Sequence, residues 1–196
     1  MEGNGDDPEL FPSIPTIEGG QGVEVPLGAF VSLCQRTTFA AAKEMGRYAF
    51  NGVLLELGTD EITLVATDGR RLALARMACA TGLTEARSAV VPIKGLNQLQ
   101  RLAGDDDEAV LRIDLRESVV AFVLPRGEIQ AQLVQGEFPD FRAVVPKEEA
   151  VANVLSVSRD DLATAIQRAL VTAGDDGPKV DLAIAEGQLT VVSSKE

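Results

Sequence analysis

The chain has 196 residues, 45% of them hydrophobic but only 4% aromatic, with no tryptophan. One full domain and part of another must therefore be packed with Val, Leu, Ile and Ala. Eighteen Lys and Arg stand against 30 Asp and Glu, a formal net charge of -12, which argues against a polybasic nucleic-acid binder without saying where the cations sit. The lack of histidine excludes imidazole catalysis. With two cysteines, Cys34 and Cys79, a Cys-rich or Cys/His zinc site is excluded as well. Both cysteines lie in apolar surroundings and read as ordinary thiols in a reducing compartment.

Residues 1–22 are rich in glycine, acids and proline, with Leu10, Phe11, Ile14 and Ile17 as apolar anchors, and read as a linker or tail. The start, MEGNGDDPEL, has neither a basic region nor an apolar core of a targeting signal, and no apolar run approaches a membrane span. The expectation is a soluble cytoplasmic protein with no membrane partner.

From residue 23 the chain repeats. VEVPLGAFVSL from Val23, AVVPIKGLNQL from Ala89 and LSVSRDDLATA from Leu155 each read as a short β run ending in valine, followed by a helical pattern. The valines, Val25, Val91 and Val157, are 66 residues apart each time. Gln35-Arg36 and Gln167-Arg168 keep the same register in the first and third copies. Alternating strands follow each helix: GVLLEL and ITLVAT, then AVLRIDL and SVVAFVL, then VDLAIA and LTVVSS, with hairpin turns at Gly58 to Glu61 and Arg116 to Ser118. The unit is strand, helix, then two or three antiparallel strands. Two units make a domain of the α+β class, with helices on one face of antiparallel sheets. The expected divisions are a leader at 1–22, a complete domain at 23–146 and an incomplete one at 147–196. The strand edge at VVSSKE invites aggregation or swapped pairing.

Cations gather on the helices. The first, expected over about Leu27 to Lys43, carries Arg36 and Lys43; the second, about Lys94 to Ala103, carries Lys94 and Arg101. Neither contains an acid, whereas the third mixes Arg159 and Arg168 with Asp160 and Asp161. Such a face can track a phosphate backbone without reading sequence. It can equally be solvated helix surface, since Lys and Arg are good helix formers.

The segment ATDGRRLAL at 66–74 follows a strand and resembles the ATDGxRLA signature of the bacterial DNA polymerase III sliding clamp, the beta subunit. RYAFNGVLLEL at 47–57, VVPIKGLNQLQRL at 90–102 and GEFPDFRAVVP at 136–146 agree with that family in order and spacing. The resemblance implies the DNA clamp fold: a ring of two three-domain chains, helices lining the hole and sheets forming the outer wall. Six 66-residue periods would make roughly 400 residues. Three are present, so the chain resembles the middle domain and the start of the third, with a remnant of the first at Phe11-Pro12. A piece of this extent is expected not to encircle DNA alone.

The implied function is a non-catalytic processivity factor that holds the replicative polymerase on duplex DNA, sequence-independently and without a cofactor or metal. Implied partners are polymerase III subunits, the clamp loader and other proteins bearing clamp-binding motifs, with a homodimer in the full-length form. Carried over by position, the DNA contacts are Arg36, Lys43, Tyr48, Lys94 and Arg101. Ala49 and Glu44 depart from the family pattern and weaken direct DNA contact. The implied partner-peptide cleft comprises Phe50, Thr67, Gly69, Arg70, Arg71, Leu72, Pro139 and Val144. In it Asp68-Gly69 permits the turn, Thr67 and Leu72 supply wall, and Arg70 or Arg71 offers a fork for a peptide carbonyl or carboxylate.

Two other readings stand beside this one. Asp68 at a strand end could be the nucleophile of a phosphate-handling enzyme, but no companion acid and no Gly-rich phosphate loop accompany it. The aliphatic repeats alone also fit a generic homo-oligomeric interaction module without DNA encirclement.

Overall fold

The structure, a computed structural model, describes residues 22–42, 50–104, 106, 108–147, 151, 154–172 and 179–194. The leader through residue 21, with Phe11-Pro12, lies outside them. The chain divides into two units, one ending at Arg142 and the other beginning at Ala143.

In the first unit the order is β1 (Val23–Pro26), α1 (Leu27–Thr37), β2 (Gly52–Leu57), β3 (Glu61–Thr67), β4 (Leu72–Ala78), β5 (Arg87–Pro92), α2 (Ile93–Ala103), β6 (Val110–Leu115), β7 (Val119–Leu124) and β8 (Gly127–Gln132). Both helices begin directly after a proline, Pro26 and Pro92, each in extended backbone at the N-cap. The fixed φ of proline ends the strand there, and its missing N–H is no loss outside the helix. α1 is shorter than the expected run to Lys43. The hydroxyls of Thr37 and Thr38 donate back to the carbonyls of Leu33 (2.8 Å) and Cys34 (2.9 Å), and the chain tightens into a 3-10 turn over Thr38–Ala40. Such back-bonding by β-branched residues competes with helix continuation.

The repeat shows its purpose in the strand pairing. One sheet has the order β1-β6-β7-β8 and the other β4-β3-β2-β5. Each copy's first strand therefore leaves its own copy and completes the other's sheet: Val25 pairs with Leu111, and Val91 with Val53, both antiparallel. The turns at Gly58 and Arg116 close as expected, Gly58 N–H donating to Glu61 (2.9 Å) and Arg116 N–H to Val119 (2.9 Å).

One core is shared by both copies. Leu27, Phe30, Leu33 and Cys34 of α1 and Leu96 and Leu99 of α2 pack with Val53, Leu55, Leu57, Ile62, Leu64, Val91, Leu111, Ile113, Val120 and Phe122 from the two sheets. A second cluster lies on the other side of β2, β3 and β5, where Leu54, Val65 and Val90 are covered by Phe141, with Leu72, Leu74, Val134 and Phe138 around it. Buried on both faces, β2 and β3 lose the strict alternation of a half-solvated strand. Gly52 is where they have least room: a Cβ there would collide with Val90 and come within 2.9 Å of the Val91 carbonyl.

Burial raises the thiol of Cys34 to about 12, and half-buried Cys79 is raised by the same cause. Because the thiolate is the nucleophile and access differs, a maleimide is expected to label Cys79 in the folded protein and Cys34 only in denaturant. Intact mass after labelling checks this; rapid native modification of both would mean that α1 does not seal Cys34.

The second unit comprises α3 (Arg159–Thr172), β9 (Lys179–Ala185) and β10 (Gln188–Ser194). β9 and β10 form an antiparallel pair against which α3 packs. The expected strand ending at Val157 is absent, residues 154–158 having no regular secondary structure. In the first unit that strand exists because a second copy's strand receives it; none does so among the described residues of the second unit. No described residue of this unit is buried.

Candidate functional site

The segment ATDGRRL is the β3–β4 turn, and it is fastened from inside. Gly69 takes φ +85°, which L side chains avoid. Thr67 Oγ1 donates to the carbonyl of Arg71 (2.7 Å) and accepts from the N–H of Gly69 (3.0 Å). Asp68 Oδ1 accepts from the backbone N–H groups of Arg70 and Arg71, both at 3.0 Å. Its second oxygen receives Arg71 Nε at 3.1 Å. The Arg70 N–H, then that of Arg71, hold the Asp68 carboxyl below the usual carboxylate range, with the Arg71 guanidinium adding to them.

A lowered folded value means that this contribution is fully present above the unfolded value of about 3.9 and is lost as pH falls through the folded one. The turn is therefore expected to stay closed at neutral pH and to open only in acid. An NMR titration of Asp68 would show it, and a midpoint at or above the ordinary aspartate value would contradict the hydrogen bonding described.

Arg71 reaches further. Its Nη2 donates to the carbonyl of Phe39 (2.9 Å), and its guanidinium lies 5.7 Å from the Phe39 ring centroid. Phe39 is 60% exposed, so ring and guanidinium form a surface ledge. Phe50 lies across the turn, its ring 3.7 Å from where a Cβ on Gly69 would sit. Arg70 is exposed, and Leu72 dips into the second apolar cluster beside Phe138 and Phe141.

The structure thus brings together Phe50, Thr67, Gly69, Arg70, Arg71 and Leu72. Pro139 lies on the wall of an open groove of about 1020 Å³ that none of those six lines. The groove runs between β5 residues 87–90, the β6–β7 turn and residues 133–142. Over it Arg142 makes a two-pronged bond to Glu56 (3.0 and 2.8 Å) and lies 4.4 Å from the Phe141 ring centroid. Val144 is exposed and belongs to the second unit. Sequence reasoning missed Phe39 and Phe141. The aromatic at 141 was visible in GEFPDFRAVVP; nothing local links Phe39 to a turn 32 residues away.

Of the candidate DNA contacts, Lys43 and Tyr48 lie outside the described residues, as do Glu44 and Ala49. Arg36 and Arg101 are exposed in the last turns of α1 and α2, where cations also suit the helix dipole. Lys94 is different. It sits in the first turn of α2, the end that disfavours a cation, so helix stability does not account for it. Together with Asn97, Gln98 and Arg101 it makes an acid-free exposed stripe at helical spacing. α1 and α2 touch each other. Among the described residues no His, Cys, Asp or Glu cluster is suited to a metal, and no helix is long and apolar enough to cross a membrane.

Over 180 residues the chain is 31% identical to the beta sliding clamp of Pseudomonas putida, covering 90% of this chain and 48% of that protein. It is 28% identical to the Chlamydia pneumoniae beta sliding clamp, over 95% of this chain and 50% of that one. The chain spans about half the length of these curated relatives. The crystal structure of the DNA polymerase III subunit beta from Pseudomonas aeruginosa superposes with a TM-score of 0.85 at 25% identity, covering 96% of this chain and 51% of that chain. The family model described as "DNA polymerase III beta subunit, central domain" matches residues 24–140, so the chain belongs to the DNA polymerase III beta-subunit family.

Proposed function

We propose that this chain is part of a sliding clamp, a non-catalytic processivity factor that in full length closes as a ring of two chains around duplex DNA. Residues 23–146 serve as its middle domain and 147–196 as the start of the next. The stripe Lys94–Arg101, with Arg36, faces the phosphate backbone, and polymerase subunits, loader and repair proteins dock at the β3–β4 turn. The observation that carries this reading is the turn itself. Its backbone is locked by Thr67 and Asp68 so that an arginine, Arg71, is held on an aromatic ledge beside the apolar Leu72. A short peptide needs both kinds of group: a guanidinium for a carbonyl or carboxylate, and apolar wall for its aliphatic side chains.

Fluorescence anisotropy with a labelled clamp-binding-motif peptide, titrated with the full-length gene product, tests it. Arg71→Ala and Leu72→Asp should each weaken binding by at least about tenfold, on the scale of one interface hot spot, while Arg126→Ala on the β7–β8 turn should not. Equal binding by all three variants would dismiss the turn as a docking site.

A further inference from the structure

We propose that Glu56 and Arg142 are positioning residues of the docking site. Together they clamp the segment 134–142 onto the face of the β2/β3/β5 sheet away from the helices, where its two phenylalanine rings brace Leu72 beside the β3–β4 turn. The proposal rests on the reading of that turn as a docking site and adds two residues that the turn does not contain. The segment arrives by changing sheets: the Leu133 N–H still donates to the Ser118 carbonyl beside β7 (2.8 Å), and the next N–H, of Val134, donates to the Val90 carbonyl on β5 (2.9 Å). From there the chain passes over β2 and β3.

Phe141 lies buried on Leu54, Val65 and Val90, and Phe138 packs against the same cluster, as do Leu72 and Leu74 of β4. Leu72 follows Arg71 directly and pairs with Thr67 across the β3–β4 hairpin. The apolar cluster therefore ends where the turn begins. Hydrophobic contact is non-directional, so by itself it leaves such a segment free to slide. Direction comes from Arg142. Its N–H donates to Asp140 Oδ1 (3.1 Å), its Nη2 donates to both oxygens of Glu56 (3.0 and 2.8 Å), and its guanidinium lies 4.4 Å from the Phe141 ring centroid.

Glu56 stands where this grip needs it. Leu54 and Glu56 are next-but-one neighbours on β2 and so point to the same face. Phe141 covers the first, and Arg142 holds the second. The ring on one side and the carboxylate on the other orient the guanidinium; a lysine ammonium, with no flat group to lie over the ring, would keep the charge and lose the orientation. Arg142 is 64% exposed, and an ion pair with one partner in solvent contributes little to global stability. Its effect is on where the segment lies, and hence on where the two rings meet Leu72.

Anisotropy with a labelled clamp-binding-motif peptide and the full-length gene product, read well below the melting transition, tests this. Glu56→Ala and Arg142→Ala should each weaken binding about three- to tenfold. The double variant should lose no more than the weaker-binding single, since both changes remove one interaction. Arg142→Lys should weaken binding too, because charge alone does not orient the segment, whereas Arg126→Ala should bind as the wild type does. A loss of stability alone would leave the Leu72 methyl resonances of the folded protein in place; Glu56→Ala should shift them, because the rings packed around Leu72 move. Unchanged affinity in Glu56→Ala and Arg142→Ala, with Arg71→Ala still weakening binding, overturns this proposal and leaves the docking reading standing. No binding by the wild-type chain overturns both. Additive losses in the double variant, or Leu72 methyls that do not shift, also overturn the proposal.

Discussion

Phe122→Ala is expected to lower the stability of the first unit by about 3–5 kcal/mol, the range for deleting a buried aromatic ring. Phe122 is fully buried on β7 between Ile113 and Ile129, and its ring centroid lies 5.9 Å from that of Phe30 on α1. It belongs to the second copy and Phe30 to the first, so the cavity opens in a core that neither copy owns. The loss should therefore be shared. Amides of α1 and β2–β4 should lose hydrogen-exchange protection together with those of β6–β8, and urea melts read by different probes should coincide. If the β6–β8 amides weakened while β2–β4 kept wild-type protection, the copies would be separate folding units, and the meaning given to the strand exchange would be wrong.

Phe141→Ala should cost about 3 kcal/mol, near the lower end of that range because the site lies at the rim of the sheet and partly collapses. Phe141 is 3% exposed and seals Leu54, Val65 and Val90 on the side of the β2/β3/β5 sheet away from the helices. Removing it also deprives Arg142 of the ring beneath its guanidinium while the bond to Glu56 remains. Phe138→Ala serves as the control, since that ring is only half-buried and packs at the cluster's margin. Equal losses for the two, measured by denaturant unfolding, would mean that position 141 is not the cover it is described to be.

Much of the fold was legible from residues alone, for a physical reason: a period of 66 residues, a valine before each helix and alternation after it all reflect local geometry. The helix starts at Pro26 and Pro92 and the turn at Asp68-Gly69 are set by neighbours within a few residues. What stayed hidden was partnership. Nothing in VEVP says that it will lie beside β6 rather than β2, because antiparallel pairing is decided by which edge is open in the assembled unit. The same limit explains the missing strand at Val157, whose sequence suits a β run but whose receiving strand is not among the described residues. β8, reading GEIQAQ, has too little apolar alternation to stand out. At the candidate site, the turn residues were found as a motif, but Phe39 beneath Arg71 and the bridge from Arg142 to Glu56 join positions far apart in the chain.

The exchanged leading strands also set the order of events during synthesis. Val23 to Pro26 emerge early, yet their ladder partners at Val110 to Ile113 are among the last strands of the unit to be made. Until then the first copy can form its β2–β3–β4 meander but keeps an aliphatic face and an unclosed edge. Long-range pairing of this kind slows folding and leaves nascent chains prone to association. A ribosome stalled near residue 100 is thus expected to carry a chain that holdase chaperones retain, and release should come only once β6 has cleared the exit tunnel.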